Sequence, residues 1–407
     1  MKVALISTGI LPVPPQWGGA IELHSLNLAL ALARGGHETH FVTDTTRSFI
    51  PEEHLVVHRI NAPSMRFQSG FVEGVWNHVI GGILAFRVAL GVITSDDFDV
   101  IHVQGAIPGF LLSRTGIAKP LVYTVHNPPP VLFRYPSMYQ EALRRFFHLQ
   151  VEIPLVNQAD HVISVSEDIR KYLVKTMGLV EDSISFIPNG VDTATYRPGL
   201  SRTALQKSLP GLPEQYILFV GQLTYRKGVD VLLEALSRPN SSSVHAVVVG
   251  DGPERRRLTL LSRELGVENR AHFVGGVSRE LLPSLYSNAQ CFVLPTRGEG
   301  MPLVLLEALA SGLPIVATNI GSISAILEKR LVGFLFEKED ADTLARYTLR
   351  IVSNNSLRQE LGASARELAE NHYSWDEIAR QTTRAYESAR LQRSNHSNTA
   401  VERSSGM

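Results

Sequence analysis

The stretch Gly298 to Gly312, GEGMPLVLLEALASG, sets two acids with seven residues between them, Glu299 and Glu307. Glu299 is flanked by glycines in a loop. Glu307 falls in an apolar run that Pro302 opens and Gly312 closes, the start and stop signals of a short helix. A helix N-terminus carries unpaired N–H groups and a partial positive charge, so it can hold a diphosphate. Two carboxylates are poorly suited to phosphate and well suited to accepting hydrogen bonds from sugar hydroxyls. Together these parts describe a nucleotide-sugar. The same local features also fit a plain loop acid and a solvated helix face, so the rest of the chain has to decide.

A second constellation, Gly221 to Gly228 (GQLTYRKG), follows the run YILFV and precedes a helix. Arg226 and Lys227 put cations at a strand-to-helix turn where a diphosphate would lie, and Gly221 and Gly228 allow close backbone approach. A Lys-Gly turn alone is also an ordinary solvated corner; this one falls in the same half as the two glutamates. Gly250-Asp251-Gly252-Pro253 only superficially resembles a dinucleotide fingerprint, because Arg255 stands where the third glycine belongs, and nicotinamide binding is rejected. The sequence has no Cys/His set with metal-ligand spacing, no nucleophile elbow and no Walker-type phosphate loop.

The first half carries two further candidates. Gly18 and Gly19 close the loop TGILPVPPQWGG at a helix entrance, which suits either a ligand or a tight strand-to-helix turn. His126 directly follows the run LVYTV, where it can meet a substrate hydroxyl or bond within its own loop.

Short β-branched runs must position these residues. Val3 to Ser7, His37 to Thr43, Asp99 to Val103, Leu121 to Val125 and His161 to Val165 alternate with helix-length segments, as a parallel sheet requires. A helix is predicted from about Ala20 to Arg34. A second alternation begins at Tyr216, with strands at Val244 to Val249, Ala271 to Val274, Gln290 to Pro295 and Pro314 to Thr318. The economical fold is α/β: two doubly wound, Rossmann-like domains facing across a cleft. Residues 1–195 form the first, 196–374 the second, a helix at about 375–391 packs back on the first, and 392–407 is a disordered tail.

A length of 407 residues suits two cores, and 44% hydrophobic with 19% charged content is that of a soluble globular chain. Thirty-nine basic and 39 acidic residues leave no net charge, which argues against nucleic acid as the partner. The lone cysteine, Cys291, sits in an apolar strand and reads as a buried structural thiol. MKVALIST reads as a first strand rather than a signal, so a cytoplasmic location is expected. Val79 to Thr94 is apolar but spans only about 16 residues and contains Arg87, which favours a buried or interfacial helix over a membrane span.

The segments GEGMPLVLLEALASGLPIVAT, GQLTYRKG, IPNGVD, VGDGPE and WGGAIELHSLNLALALARGGHE, in order over about residues 1 to 390, resemble family 4 of the retaining nucleotide-sugar glycosyltransferases, of GT-B fold. The opening LPVPPQWGGAIE is further similar to the spore-coat-associated branch. The resemblance implies that Glu307 binds the ribose hydroxyls, Glu299 the donor hexose and Lys227 the diphosphate. It sets the backbone around Met301, Leu303 and Val304 on the phosphates and Val277 against the base. His126 and the Gly18-Gly19 loop match positions that close over sugar and phosphates. Two positions depart from the family: Gln222 replaces an arginine on the donor side, for which Arg226 is expected to compensate, and Gly321-Ser322-Ile323-Ser324-Ala325 lacks the acid of a GGxxE pattern.

The implied function is transfer of a hexose-type sugar from UDP or GDP to a glycan or lipid-linked acceptor, without a metal or other cofactor. Arg134, Arg144 and Arg145 with Phe133, Phe146 and Phe147, and Arg66, Phe67, Phe71 and Trp76, can form either a peripheral membrane surface or a packed, partly solvated helix pair. Rival readings on the same fold are an epimerase or phosphorylase and a non-catalytic coat or binding protein.

Overall fold

The computed structural model describes residues 1–13, 19–45, 52–60, 71–126 and 138–405, without the side chains of 71–77 or of 396 onward. Gly18, Arg66, Phe67, Phe133 and Arg134 lie outside the described residues, as do the side chains of Phe71 and Trp76. The chain divides into two compact units, Met1–Asn189 with Trp375–Met407, and Gly190–Ser374. The first division thus falls at 189/190 rather than at 195/196.

The first unit is built on a seven-stranded parallel sheet: β1 (Lys2–Ile6), β2 (Glu38–Thr43), β3 (Leu55–Arg59), β4 (Val100–Val103), β5 (Leu121–Val125), β6 (His161–Ser164) and β7 (Ile184–Phe186), in the order β3-β2-β1-β4-β5-β6-β7. Its central strands are buried along their whole length, which is why they read as unbroken apolar runs. The helix Ala20–Arg34 buries Leu28, Ala31 and Leu32 against Trp375, Ile378 and Tyr386 of the helix Trp375–Ser405. Each fully buried leucine or isoleucine among them contributes about 1.5–3 kcal/mol. Nothing from 375 to 405 is glycine or proline, so this helix runs on to Ser405 and the disorder expected from residue 392 is corrected.

The apolar segment expected at Val79 to Thr94 lies in a 25-residue helix, Phe71–Ser95. Its length and composition alone would suit a membrane span. It packs instead through two glycines: a Cβ on Gly81 would stand 2.2 Å from the Gly9 carbonyl oxygen, and one on Gly82 2.7 Å from Ile107. Its face with Ala85, Ala89 and Ile93 is buried.

The second unit holds a six-stranded parallel sheet: β8 (Ile217–Val220), β9 (Ala246–Val249), β10 (Ala271–Gly275), β11 (Cys291–Leu294), β12 (Ile315–Thr318) and β13 (Gly333–Phe336), ordered β10-β9-β8-β11-β12-β13. The winding reverses between β8 and β11, as it does between β1 and β4 in the first unit. Loops at the carboxyl ends of strands flanking such a reversal are where open α/β sheets bind ligands. Both acid- and base-bearing loops of the second unit, 221–228 and 295–302, leave those two strands. Cys291 is fully buried in β11, and burial pushes its thiol up to about 12, consistent with a structural role.

Candidate functional site

Beyond β8 the chain makes a 3-10 turn, Tyr225–Lys227, that ends at Gly228 with φ 68°. A Cβ on Gly228 would lie 1.8 Å from the Pro295 carbonyl oxygen, so glycine alone lets this turn close on the end of β11. That closure brings Lys227 and Arg226 onto Glu299. Lys227 Nζ donates to Glu299 Oε1 at 2.5 Å, and Arg226 Nη1 donates to Glu299 Oε2 at 3.0 Å and to the Gly298 carbonyl at 2.6 Å. The Thr296 hydroxyl lies 3.1 Å from the same carboxylate. The side chains of Lys227 and Glu299 are 11% and 8% exposed against 43% for Arg226, so the lysine pair is a nearly buried charge pair and the arginine its outer flank. Glu299 is therefore no plain loop acid.

Arg297 escaped the sequence reading. Its guanidinium binds Asp230 (Nη1–Oδ1 2.9 Å, Nη2–Oδ2 3.2 Å), Glu339 (Nε–Oε1 2.6 Å, Nη2–Oε2 2.7 Å) and the Tyr225 carbonyl (2.6 Å). It also stacks 4.0 Å from the centre of the Tyr225 ring. Burial alone would raise the Asp230 carboxyl, but Arg297 and Arg257 outweigh it and hold it below the usual carboxylate range. Asp230 lies two residues beyond the left-handed Gly228, in a helix first turn, which is the one local hint of the arrangement.

After Glu299 the helix Leu303–Ala310 begins, with Pro302 at its N-cap rather than in its first turn; the extended ψ of 116° at Pro302 delays the helix by one residue. Pro302 has no side-chain acceptor to cap the N–H groups at its start, where Leu303 and Val304 stand half-buried beside buried Met301. Ser322 donates its hydroxyl to the Gly300 carbonyl, so the segment that lacks an acid still ties down this loop. Val277 is half-buried just past β10.

Glu307 does not lie on a solvated face. It is 8% exposed and accepts from Tyr286 Oη at 2.9 Å. Burial raises its carboxyl, against hydrogen bonds from Tyr286 and Tyr196 and the charge of Arg279. Both tyrosines are buried, with ring centres 5.6 Å apart. The carboxylate is thus supported on one side by hydroxyl donors, an arrangement that can present its remaining lone pairs to further hydroxyls.

His126 and Gly19 belong to the first unit. Gly19 is the left-handed N-cap of Ala20–Arg34, with φ 66°. Three residues on, Glu22 is buried and accepts from Thr8 Oγ1 at 2.6 Å, which shapes the β1 loop. His126 Nε2 lies 2.6 Å from Gln104 Oε1, so this nitrogen carries the proton. The Gln104 amide in turn donates to His102 Nε2 at 3.1 Å, and His102 Nδ1 meets Tyr386 Oη at 2.8 Å. His24 packs edge-on to His126 at 4.7 Å and bonds Asn189 at 2.9 Å. Burial depresses all three imidazoles, His24 to about 4 and His102 to about 3, and His126 well below its ordinary value. His126 is neutral, with Nδ1 as its acceptor.

Of the membrane-surface candidates, Arg144 forks onto Glu152 at 2.9 and 2.9 Å, behind a π-helical turn His148–Glu152, and points into the unit. Phe146, Met138, Tyr139 and Leu149 are exposed. Among the described residues, Glu38, His40 and Asp96 bring ligand atoms within 4.8 Å of one another. The Lys2 ammonium already bridges the two carboxylates, at 2.8 and 2.5 Å.

Known families and a solved structure resemble this chain over both of its units. The family profile described as Glycosyl transferases group 1 matches residues 201–368, and the one described as Glycosyltransferase Family 4 matches residues 17–195. A D-inositol 3-phosphate glycosyltransferase of Xylanimonas cellulosilytica is 30% identical over 403 residues, spanning 93% of this chain and 94% of its own. An uncharacterised glycosyltransferase of Methanocaldococcus jannaschii is 26% identical over 397 residues, 96% and 98% of the two chains. Among solved structures, a sucrose-phosphate synthase of Thermosynechococcus elongatus superimposes with a TM-score of 0.77 at 26% identity, covering 95% of this chain and 98% of its own.

Proposed function

The chain belongs to the family 4-like glycosyltransferases of GT-B fold, and we propose that it moves a hexose-type sugar from UDP or GDP to a hydroxyl acceptor with retention of anomeric configuration. The observation that carries the donor reading is the Lys227–Glu299 pair at the reversal of the second sheet. The diphosphate lies against Lys227 and the N–H groups at Leu303 and Val304, the hexose against Glu299, and the ribose against Glu307. The base lies by Val277. In the transfer, the bond from the anomeric carbon to the diphosphate oxygen breaks and the diphosphate keeps the electron pair. The acceptor oxygen then bonds to that carbon and passes its proton to the departing diphosphate oxygen. Lys227 and the helix start stabilise the charge gathering on the diphosphate without a metal. His126, neutral and with Nδ1 as acceptor, equips the first unit to take a hydrogen bond from a substrate hydroxyl.

A glycan or lipid-linked sugar is the acceptor class we favour, and the named substrate of the Xylanimonas relative adds a phosphorylated polyol to those worth trying. The exposed Phe146, Met138 and Tyr139 support a peripheral membrane contact, which for a cytoplasmic protein would be with the inner face. A donor panel tests the core of the reading. A UDP- or GDP-sugar should raise the melting temperature and be slowly hydrolysed, and an acceptor should gain the sugar. A panel in which no nucleotide-sugar shifts the melt or is consumed would overturn it, and donor isomerisation without an acceptor would point to an epimerase.

A further inference from the structure

We infer that Arg297 is a positioning residue for the diphosphate, acting through the turn that presents Lys227; the inference rests on the donor site proposed above. Its guanidinium has five N–H groups and makes five hydrogen bonds, which tie the connection after β8, through Tyr225 and Asp230, to the connection after β13, through Glu339. Asp230 lies at the start of the helix after β8, Tyr225 in the turn between them, and Glu339 between β13 and the helix Ala341–Val352. The backbone takes part as well: Arg297 N–H donates to the Arg226 carbonyl at 2.7 Å, an oxygen also 3.0 Å from the Thr296 hydroxyl. Two consecutive carbonyls of the 225–227 turn are therefore pinned from one residue, and Lys227 is the next residue along.

The fork is what makes this work. Arg297 is 15% exposed and faces two carboxylates bidentately, an arrangement a lysine cannot reproduce with one ammonium. The Glu339 end of the clamp is held in a costly conformation, since Glu339 is one of the non-glycine residues with positive φ, at 65°. A strained residue kept to complete a bidentate pair beside a ligand loop argues for a role beyond bulk stability.

The test compares Kd for uridine, UDP, guanosine and GDP on the full chain. The nucleoside reports the Glu307 side of the site, and the tightening from nucleoside to diphosphate reports the Lys227 turn. In Arg297→Lys that tightening should shrink by roughly tenfold or more, the worth of one charge-assisted contact, while nucleoside Kd stays within about twofold. Glu339→Gly separates this role from stability, because glycine relieves the positive φ while deleting one fork. Its melting temperature should hold or rise while the diphosphate tightening drops by about threefold. Variants that keep the parent's tightening, or that lose nucleoside and diphosphate affinity in proportion, overturn the inference. A parent that binds neither diphosphate tighter than its nucleoside overturns the donor reading and this inference with it.

Discussion

Lys227 Nζ and Glu299 Oε1 are 2.5 Å apart, so the cation assigned to the diphosphate and the acid assigned to the hexose are partners of each other. A diphosphate must compete with this carboxylate for the lysine. Glu299→Gln removes the competitor while keeping the shape, and it should tighten UDP or GDP binding by roughly tenfold. The same change should lower kcat by about a hundredfold, since the hexose loses its orienting acid in the transition state. Calorimetry and initial rates on one preparation check both, and weaker diphosphate binding would refute the competition.

Arg226, in the same turn as Lys227, takes the other oxygen of Glu299 and remains 43% exposed, placed to serve phosphates from outside. Gln222, where the family carries arginine, is exposed and neutral. If Arg226 supplies the missing cation, Arg226→Ala should lower kcat/KM by about ten- to a hundredfold, and adding Gln222→Arg should restore part of it. Kinetics of Arg226→Ala within about twofold of the parent would assign the whole charge term to Lys227.

What the sequence made legible follows from burial. Central strands such as Ile217–Val220 and Val100–Val103 are covered on both faces and announce themselves as apolar runs, whereas β3 and β13 went unread. Those two are edge strands with mixed exposure, and LVVHR and GFLF carry too little pattern to stand out. Glu299, Lys227 and Glu307 were legible because their spacing is local to one strand-loop-helix unit each. Arg297 was not, because its partners Asp230 and Glu339 lie 67 and 42 positions away and meet it only through the strand order β8-β11-β12-β13.

Glu307 gives a pH signature. Its carboxyl is raised above 4.5 by burial, so it gains its proton sooner than an ordinary glutamate as pH falls. A protonated carboxyl loses acceptor capacity for ribose hydroxyls. Uridine or guanosine affinity, free of phosphate titration, should therefore weaken on acidification sooner than titration of an ordinary glutamate would cause. Glu307→Gln should bind weakly and without that dependence; a pH-flat parent would remove Glu307 from the ribose.

Membrane contact rests on the exposed face of the helix Met138–Phe147, with Phe146 at 63% exposure. Flotation with anionic liposomes at low salt should recover the protein, and Phe146→Ser with Met138→Ser should release most of it. Recovery equal to that of protein without lipid would sink the membrane proposal.

The last prediction concerns the neutral histidines of the first unit. In the unfolded chain each titrates near 6.5, but burial holds His24 at about 4 and His102 at about 3, with His126 also depressed. A base whose folded pKa is lowered binds its proton more readily when unfolded, so its contribution to stability is complete above the unfolded value. It is lost as pH falls through 6.5 toward the folded values. Each pH unit in that window costs about 1.4 kcal/mol per histidine, so the three together should make the first unit acid-sensitive well above the carboxylate range. Melting temperatures at about pH 7.5 and about pH 5 should differ strongly in the parent. His24→Gln keeps an amide donor for Asn189, which His24 meets at 2.9 Å, while removing one titrating group. It should melt lower at neutral pH yet show a smaller drop on acidification. An undiminished drop in His24→Gln would mean that His24 is not among the groups that set the acid limit.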